Sequence, residues 1–137
     1  MKVPFLDLHS AYEELRPELE AAALRVLNSG WYILGEEVSS FEREYAEFCE
    51  AAECVGVGNG LDALQLALRA VGVGAGDEVI VPSHTYIATW LAVSLVGAKP
   101  IPVEPEIDIY NLDPGGIESA ITDRTKAILP VHLYGHP

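Results

Sequence analysis

From residue 54 onward, short apolar runs alternate with segments of helical periodicity, and this alternation constrains the fold more than any other feature. The runs are Cys54–Val57, Val79–Val81, Ile101–Val103 and Ala127–Val131. Between them, helical patterns cover Gly60–Val71, Thr85–Val96 and Pro114–Ile121, the last opened by Asp113 as cap and Pro114 as first helical residue. Short buried strands joined through helices predict an α/β three-layer sandwich, a mostly parallel sheet with helices on both faces.

Two helices are expected upstream. Ser10 and Glu13 have the spacing of a capping box. Leu15, Leu19, Ala22, Ala23, Val26 and Leu27 then recur at helical intervals until Asn28-Ser29-Gly30 makes a stop. Pro17 either kinks this helix or occupies the first turn of the main helix after a short leading turn. The second helix turns Val38, Phe41, Tyr45 and Phe48 inward and Glu42, Arg43, Glu44 and Glu47 outward.

At 137 residues, half of them hydrophobic, the chain has the size and composition of one domain with a real core. Its longest apolar segment, Ile87 to Val96, contains Thr89 and Ser94 and is too short to span a bilayer. Glu13, Glu14 and Glu18 interrupt any N-terminal signal, so a cytoplasmic location is expected. A net charge of −13, from 21 acidic and 8 basic residues, argues against nucleic acid or anionic membrane as partners. Cys49 and Cys54 match no zinc spacing; they are expected to be buried packing residues, and no metal site is expected.

The chemistry should gather at the carboxyl ends of the strands, where open α/β sheets bind ligands. The first such end reads Gly58-Asn59-Gly60-Leu61-Asp62. A strand entering a helix through glycines brings backbone N–H groups and the positive helix end to one point, which suits a phosphate. A glycine-rich turn with no phosphate is the plainer alternative. The spacing lacks the Lys-Ser/Thr of a P-loop and the G-x-G-x-x-G of a dinucleotide fold. The following strand also ends in Pro82-Ser83-His84 rather than in an acidic residue. A phosphate on a smaller cofactor fits better. Two further ends are polar and aromatic, Pro82-Ser83-His84-Thr85-Tyr86 and His132-Leu133-Tyr134-Gly135-His136. Taken singly, Tyr86 reads as a residue packed on a helix and His132 as a strand-end histidine. Together the clusters suggest a flat, phosphorylated ring system as ligand.

These segments resemble the N-terminal part of the DegT-type sugar-nucleotide aminotransferases, fold type I enzymes dependent on pyridoxal 5′-phosphate (PLP). The resemblance rests on Pro4-Phe5-Leu6-Asp7-Leu8, Ser29 through Gly35, Phe41-Glu42, Gly58 through Leu64, Val81 through Thr89 and Pro130 through Gly135. The Trp-Tyr-Ile-Leu-Gly and Gly-Leu-Asp-Ala-Leu versions look most like members that aminate C3 of a dTDP-linked 3-keto-6-deoxyhexose. The resemblance implies that residues 1–53 are a helical segment packing on the large domain. Residues 54–137 would be the first part of the PLP-binding α/β domain.

It also implies roles. Asn59, Gly60 and Leu61 would hold the PLP phosphate, and Tyr86 would stack on the pyridine ring. Trp31, Tyr32, His84 and Tyr134 would line the substrate side, with a nucleotide sugar as acceptor and glutamate as donor. The active enzyme would be a homodimer. Transamination needs a lysine that holds the cofactor as a Schiff base and a carboxylate on the pyridinium nitrogen. In the family both are expected downstream of Pro137, and Lys2, Lys99 and Lys126 stand at no active-site end. No catalytic residue is therefore assigned within the chain, which alone is expected to be inactive. Two other readings stay open: a non-covalent nucleotide- or phosphosugar-binding α/β domain, and a truncated paralogue kept for subunit association.

Overall fold

The computed structural model describes residues 3–137, and the chain divides into two compact units, Met1–Gly56 and Val57–Pro137. Lys2 lies outside the described residues.

In the second unit, β1 (Glu78–Pro82), β2 (Lys99–Val103) and β3 (Thr125–Ile128) form a parallel sheet in the order β2-β1-β3. The helices are α3 (Gly60–Ala70), α4 (Ile87–Leu95) and α5 (Pro114–Ala120). β1 is the axis of the unit. All five of its residues are buried, and Val79, Ile80 and Val81 have no exposed surface. Strand geometry sends Val79 and Val81 to one face and Ile80 to the other. Val79 and Val81 pack with Leu68 of α3 and with Ala92 and Val93 of α4, while Ile80 meets Val103 and Leu112 with Ile117 and Ala120 of α5 against them. Helices thus cover both faces, as the expected three-layer arrangement requires. Each such buried aliphatic side chain contributes about 1.5–3 kcal/mol, so the middle of β1 anchors both cores.

Several boundaries depart from the sequence reading for local reasons. β2 starts at Lys99 rather than Ile101 and carries Pro100 and Pro102, which an edge strand tolerates. β3 starts at Thr125 rather than Ala127, because Glu78 already pairs with Thr125 before a bulge at Lys126. It ends at Ile128 instead of Val131: Leu129 N–H still reaches Ile80 C=O at 2.8 Å, but the residue of β1 that would next donate, to Leu129 C=O, is Pro82, which has no N–H. α4 begins at Ile87 rather than Thr85, since Tyr86 is extended at φ −65° and ψ 141°. Cys54–Val57, expected as a strand, has no ladder partner among the described residues. Gly56 N–H instead donates to the Glu42 carboxylate at 2.7 Å. α5 forms as expected, with the Asp113 carboxylate accepting Gly115 N–H at 2.8 Å.

At the amino end of the sheet, the buried Glu78 carboxylate accepts from Arg124 Nη2 at 2.6 Å and from Thr122 Oγ1 at 2.7 Å. This clamp holds the segment before β3 against β1.

The first unit contains α1 (Leu8–Ser29) and α2 (Glu36–Phe48). Pro17 sits inside one continuous α1. The cap is Asp7 rather than Ser10: its carboxylate accepts the N–H groups of His9 and Ser10 and the Ser10 hydroxyl. Gly30 closes α1 in the left-handed region at φ 67°, as the expected stop requires. On α2, Ala46 is buried while Phe41, Tyr45 and Phe48 are exposed, contrary to the inward face read from periodicity. The rings cover one another instead, with Phe41 and Tyr45 stacked at 5.4 Å. Cys49, expected to be buried, is exposed as the residue ending α2, and Cys54 is half-buried. Among the described residues no helix is long and apolar enough to cross a membrane.

Candidate active site

The start of α3 forms one wall of the site. Asn59 caps the helix: its side-chain oxygen accepts Asp62 N–H at 2.9 Å, and its carbonyl accepts Ala63 N–H at 3.1 Å. A helix leaves its first four N–H groups without internal partners. The cap satisfies that of Asp62, while those of Gly60 and Leu61 have no acceptor among the described residues. The positive end of the helix dipole adds to them. Asp62 would oppose an anion here, but its carboxylate takes the Asn59 amide at 2.9 Å and lines a separate cleft with Gly58, Gln65 and Arg69. A Cβ on Gly60 would meet nothing within 4 Å, so the space above the first turn is open.

The opposite wall is the start of α4. Tyr86, its cap residue, is 74% exposed. A groove of about 740 Å³ runs between the two helix starts and is lined by Asn59, Gly60, Leu61, Leu64, Tyr86, Ile87, Thr89 and Leu91 among others. The four residues expected from the sequence to hold a cofactor therefore share one groove. Gly60 and Leu61 line it with their donors, and Leu64, Ile87 and Leu91 give it hydrocarbon walls. Such a groove can hold an anion by its N–H groups and a flat apolar body along its length. Thr85 and Thr89 hydroxyls bond at 3.0 Å, and Trp90 Nε1 donates to Pro82 C=O at 3.2 Å, which fixes the turn from β1 into α4.

His84 and Tyr134, expected on the substrate side, are linked through a residue the sequence reading passed over. The Tyr110 ring lies 6.3 Å from that of His84 and meets that of Tyr134 edge-on at 5.3 Å. All three follow carboxyl ends of strands. Ser83 is tied there as well, donating its hydroxyl to Glu104 at 2.8 Å. The signal for Tyr110 was positional: the loop after the strand ending at Val103 is also a carboxyl-end loop, and it carries Tyr110-Asn111.

Trp31 and Tyr32 lie in the first unit, in a cleft of about 330 Å³ with Arg25, Ser29, Glu37 and Val38. Trp31 Nε1 donates to Ile33 C=O at 2.6 Å, which holds the indole over its own turn. Gly35 suits this turn, because a Cβ would stand 3.1 Å from Trp31 C=O and push the chain a few tenths of an ångström aside. Arg25 grips Glu37 through two nitrogens at 2.6 and 3.1 Å. The hydrogen bond from Arg25 holds the Glu37 carboxyl below the usual carboxylate range.

Lys99 is the first residue of β2 and Lys126 the second of β3, so both stand at the amino ends of the strands, away from the carboxyl-end loops.

The family model described as the DegT/DnrJ/EryC1/StrS aminotransferase family matches residues 13–137. The dTDP-3-amino-3,4,6-trideoxy-alpha-D-glucose transaminase of Streptomyces venezuelae is 65% identical over 136 residues, covering 99% of this chain and 36% of that protein. The crystal structure of S. venezuelae DesV in complex with a ketimine intermediate matches with a TM-score of 0.95 at 65% identity, covering 99% of this chain and 37% of that one. NtdA of Bacillus subtilis with bound cofactor PMP matches at 0.87 and 36% identity, covering 99% of this chain and 32% of that one. The chain thus spans about a third of the length of the relatives it matches. The match takes in every strand, both walls of the groove and the loops beyond it, and the chain belongs to the DegT/DnrJ/EryC1/StrS aminotransferase family.

Proposed function

We propose that this chain forms the phosphate- and ring-holding part of a PLP-dependent aminotransferase. Its acceptor is a keto group on a nucleotide-linked deoxysugar, C3 of a dTDP-3-keto-6-deoxyhexose, and its donor is glutamate. The observation that carries the reading is the groove, lined both by Gly60 and Leu61, whose N–H groups have no acceptor among the described residues, and by the exposed Tyr86. The group fits these residues: the donors suit a phosphate, the open space above Gly60 admits it, and the apolar lining suits a pyridine ring. The substrate class is supported by the S. venezuelae relative, whose name places an amino group at C3 of a dTDP-trideoxyhexose.

When bound, PLP supplies the electron sink through which an amino group passes from donor to keto acceptor. The N–H groups of Gly60 and Leu61 hold the phosphate, and Asn59 keeps the first turn in place through Asp62 and Ala63. Tyr86 orients the ring by stacking. His84 and Tyr134 face the sugar side, and Trp31 and Tyr32 take part in substrate binding. Neither Lys99 nor Lys126 holds the cofactor. That lysine and the ring-nitrogen carboxylate belong to the part of the relatives' length that this chain does not span, and the working enzyme is a homodimer.

The test uses the protein carrying these residues at the length of its relatives. Supplied with PLP and glutamate, it should convert a dTDP-3-keto-6-deoxyhexose to the 3-amino sugar and release 2-oxoglutarate, followed by mass spectrometry. Borohydride should fix PLP onto a lysine other than Lys99 or Lys126. Binding of NAD or a phosphosugar without PLP would instead favour a non-covalent nucleotide- or phosphosugar-binding domain.

A further inference from the structure

Tyr110 occupies a backbone conformation that its residue type disfavours. Its φ is 59°, in the left-handed region that Gly or Asn adopts most readily. Asn111 is the next residue, yet the left-handed position falls to the tyrosine. Tyr110 N–H bonds Glu106 C=O at 2.8 Å, Glu106 N–H bonds Asn111 C=O at 2.9 Å, and a bridge between Pro105 and Leu112 closes the loop. Leu112 is buried against Ile80 and Val103, so the loop is anchored to the sheet. Asn111 is then free to donate its side-chain amide to His136 C=O at 2.8 Å, which ties this loop to the one carrying Tyr134. Strained residues persist only where their surroundings over-determine them, and they cluster at functional sites.

The position is informative too. A sheet ordered β2-β1-β3 reverses its winding between β1 and β3, and ligands bind outside the carboxyl ends of strands at such a switch point. His84 follows β1 and Tyr134 follows β3. Tyr110, from the loop after β2, contacts both rings, tilted at 51° against His84 and edge-on at 75° against Tyr134. Both centroid separations fall in the range where aromatic pairs attract.

We propose that Tyr110 is a positioning residue of the substrate side: from its left-handed backbone it braces His84 and Tyr134 into one aromatic wall at the switch point of the sheet. What the wall faces, the sugar of a nucleotide sugar, rests on the functional reading above; the bracing rests on geometry alone.

Two measurements test it. The first is ring order by carbon-13 relaxation, which the loss of a neighbouring ring current does not alter. Tyr110→Ala should increase the motion of the His84 and Tyr134 rings, while Tyr110→Phe, which keeps both contacts, should leave them as in the wild type. The second is kinetics in the protein at its relatives' length. Tyr110→Ala should raise KM for the keto-sugar nucleotide about two- to tenfold, the size of one or two lost aromatic contacts, with PLP affinity unchanged and Tyr110→Phe restoring KM. Tyr110→Gly repeats both measurements with the backbone relieved, should the alanine variant fold poorly. Ring order unchanged in a folded Tyr110→Ala or Tyr110→Gly protein overturns the bracing. Loosened rings with an unchanged KM overturn the substrate-side role. A wild-type protein that neither binds PLP nor turns over nucleotide sugars fails the functional reading and the sugar-side role with it, and ring order then decides the bracing by itself.

Discussion

Gly60→Pro would remove one hydrogen-bond donor from the groove and little else. Gly60 is the first helical residue of α3, the position proline prefers, because its N–H has no helical partner to lose. Asn59 before it is already extended, at φ −167° and ψ 172°, as a residue preceding proline must be. The Cβ of the added ring enters open space, since it meets nothing within 4 Å, and the ring's Cδ takes the place of the amide hydrogen. The fold should therefore hold, and the stiffer unfolded chain should add about 0.4–1 kcal/mol of stability. What disappears is a donor to a phosphate. A hydrogen bond to a charged group contributes about 1.5–3 kcal/mol, so PLP should bind about ten- to a hundredfold more weakly.

Gly60→Ala is the control, because it adds the same Cβ and keeps the N–H. Pyridoxal, which has the ring but no phosphate, is the second control. Equilibrium dialysis of both compounds against wild type and both variants, with thermal unfolding in parallel, separates the effects. The proline variant should lose most of the PLP-over-pyridoxal preference, and the alanine variant should keep it. An unchanged preference in a folded proline variant refutes the assignment of Gly60 N–H as a phosphate donor. A fall in both affinities together would mean that the groove's shape, not its donor, had been altered.

Three further outcomes follow from the structure. Tyr86→Ala should weaken PLP binding about two- to tenfold by loss of stacking while Tyr86→Phe stays near wild type, and the melting temperature should not move because the ring is 74% exposed. Arg124→Ala strips the guanidinium from Glu78, whose side chain is 3% exposed; with Arg124 itself 65% exposed, water takes part of its place, and urea unfolding should show a loss of about 1–3 kcal/mol. Glu78→Gln, which keeps an acceptor for Thr122, should cost less. The Ser10 hydroxyl, and then the Ser10 N–H, hold the Asp7 carboxyl below its ordinary value, so the cap stabilises α1 above the usual carboxylate range and is lost as pH falls through the lowered folded value. Circular dichroism should show acid fraying of α1 that Asp7→Asn, whose capping does not depend on ionisation, lacks.

The parts of the fold that were legible in the sequence are those whose determinants are local. The turn at Asn59 is closed by bonds reaching three and four residues ahead, so the residues that build it stand side by side in the chain. The cap of α5 is likewise made by Asp113 reaching Gly115. The cap of α1 is equally local, but it lies at Asp7 and not at Ser10, to which the capping-box spacing pointed. Asp7 prevails since its two oxygens satisfy two N–H groups and also the competing hydroxyl.

Periodicity behaves differently: it says which residues share a helix face, not what covers that face. Phe41, Tyr45 and Phe48 share a side of α2 as their spacing requires, and they are nevertheless exposed. Strand ends depended on the neighbour as well. β3 stops where Pro82 of β1 denies it a donor, and it starts where Glu78 reaches back to Thr125 across a bulge, a pairing invisible from either segment alone. Tyr110 is the extreme case. Its left-handed backbone follows from a loop closed between Pro105 and Leu112, but its ring contacts lie 26 residues before it and 24 after it in the chain, beyond the reach of any local pattern. A residue so placed breaks the local rule that would have put glycine or asparagine there, and is kept in place by the closure of its loop and by ring contacts from distant segments. Such a conflict between local preference and global fold points to function more sharply than the agreement seen at Asn59, where capping alone accounts for the residue.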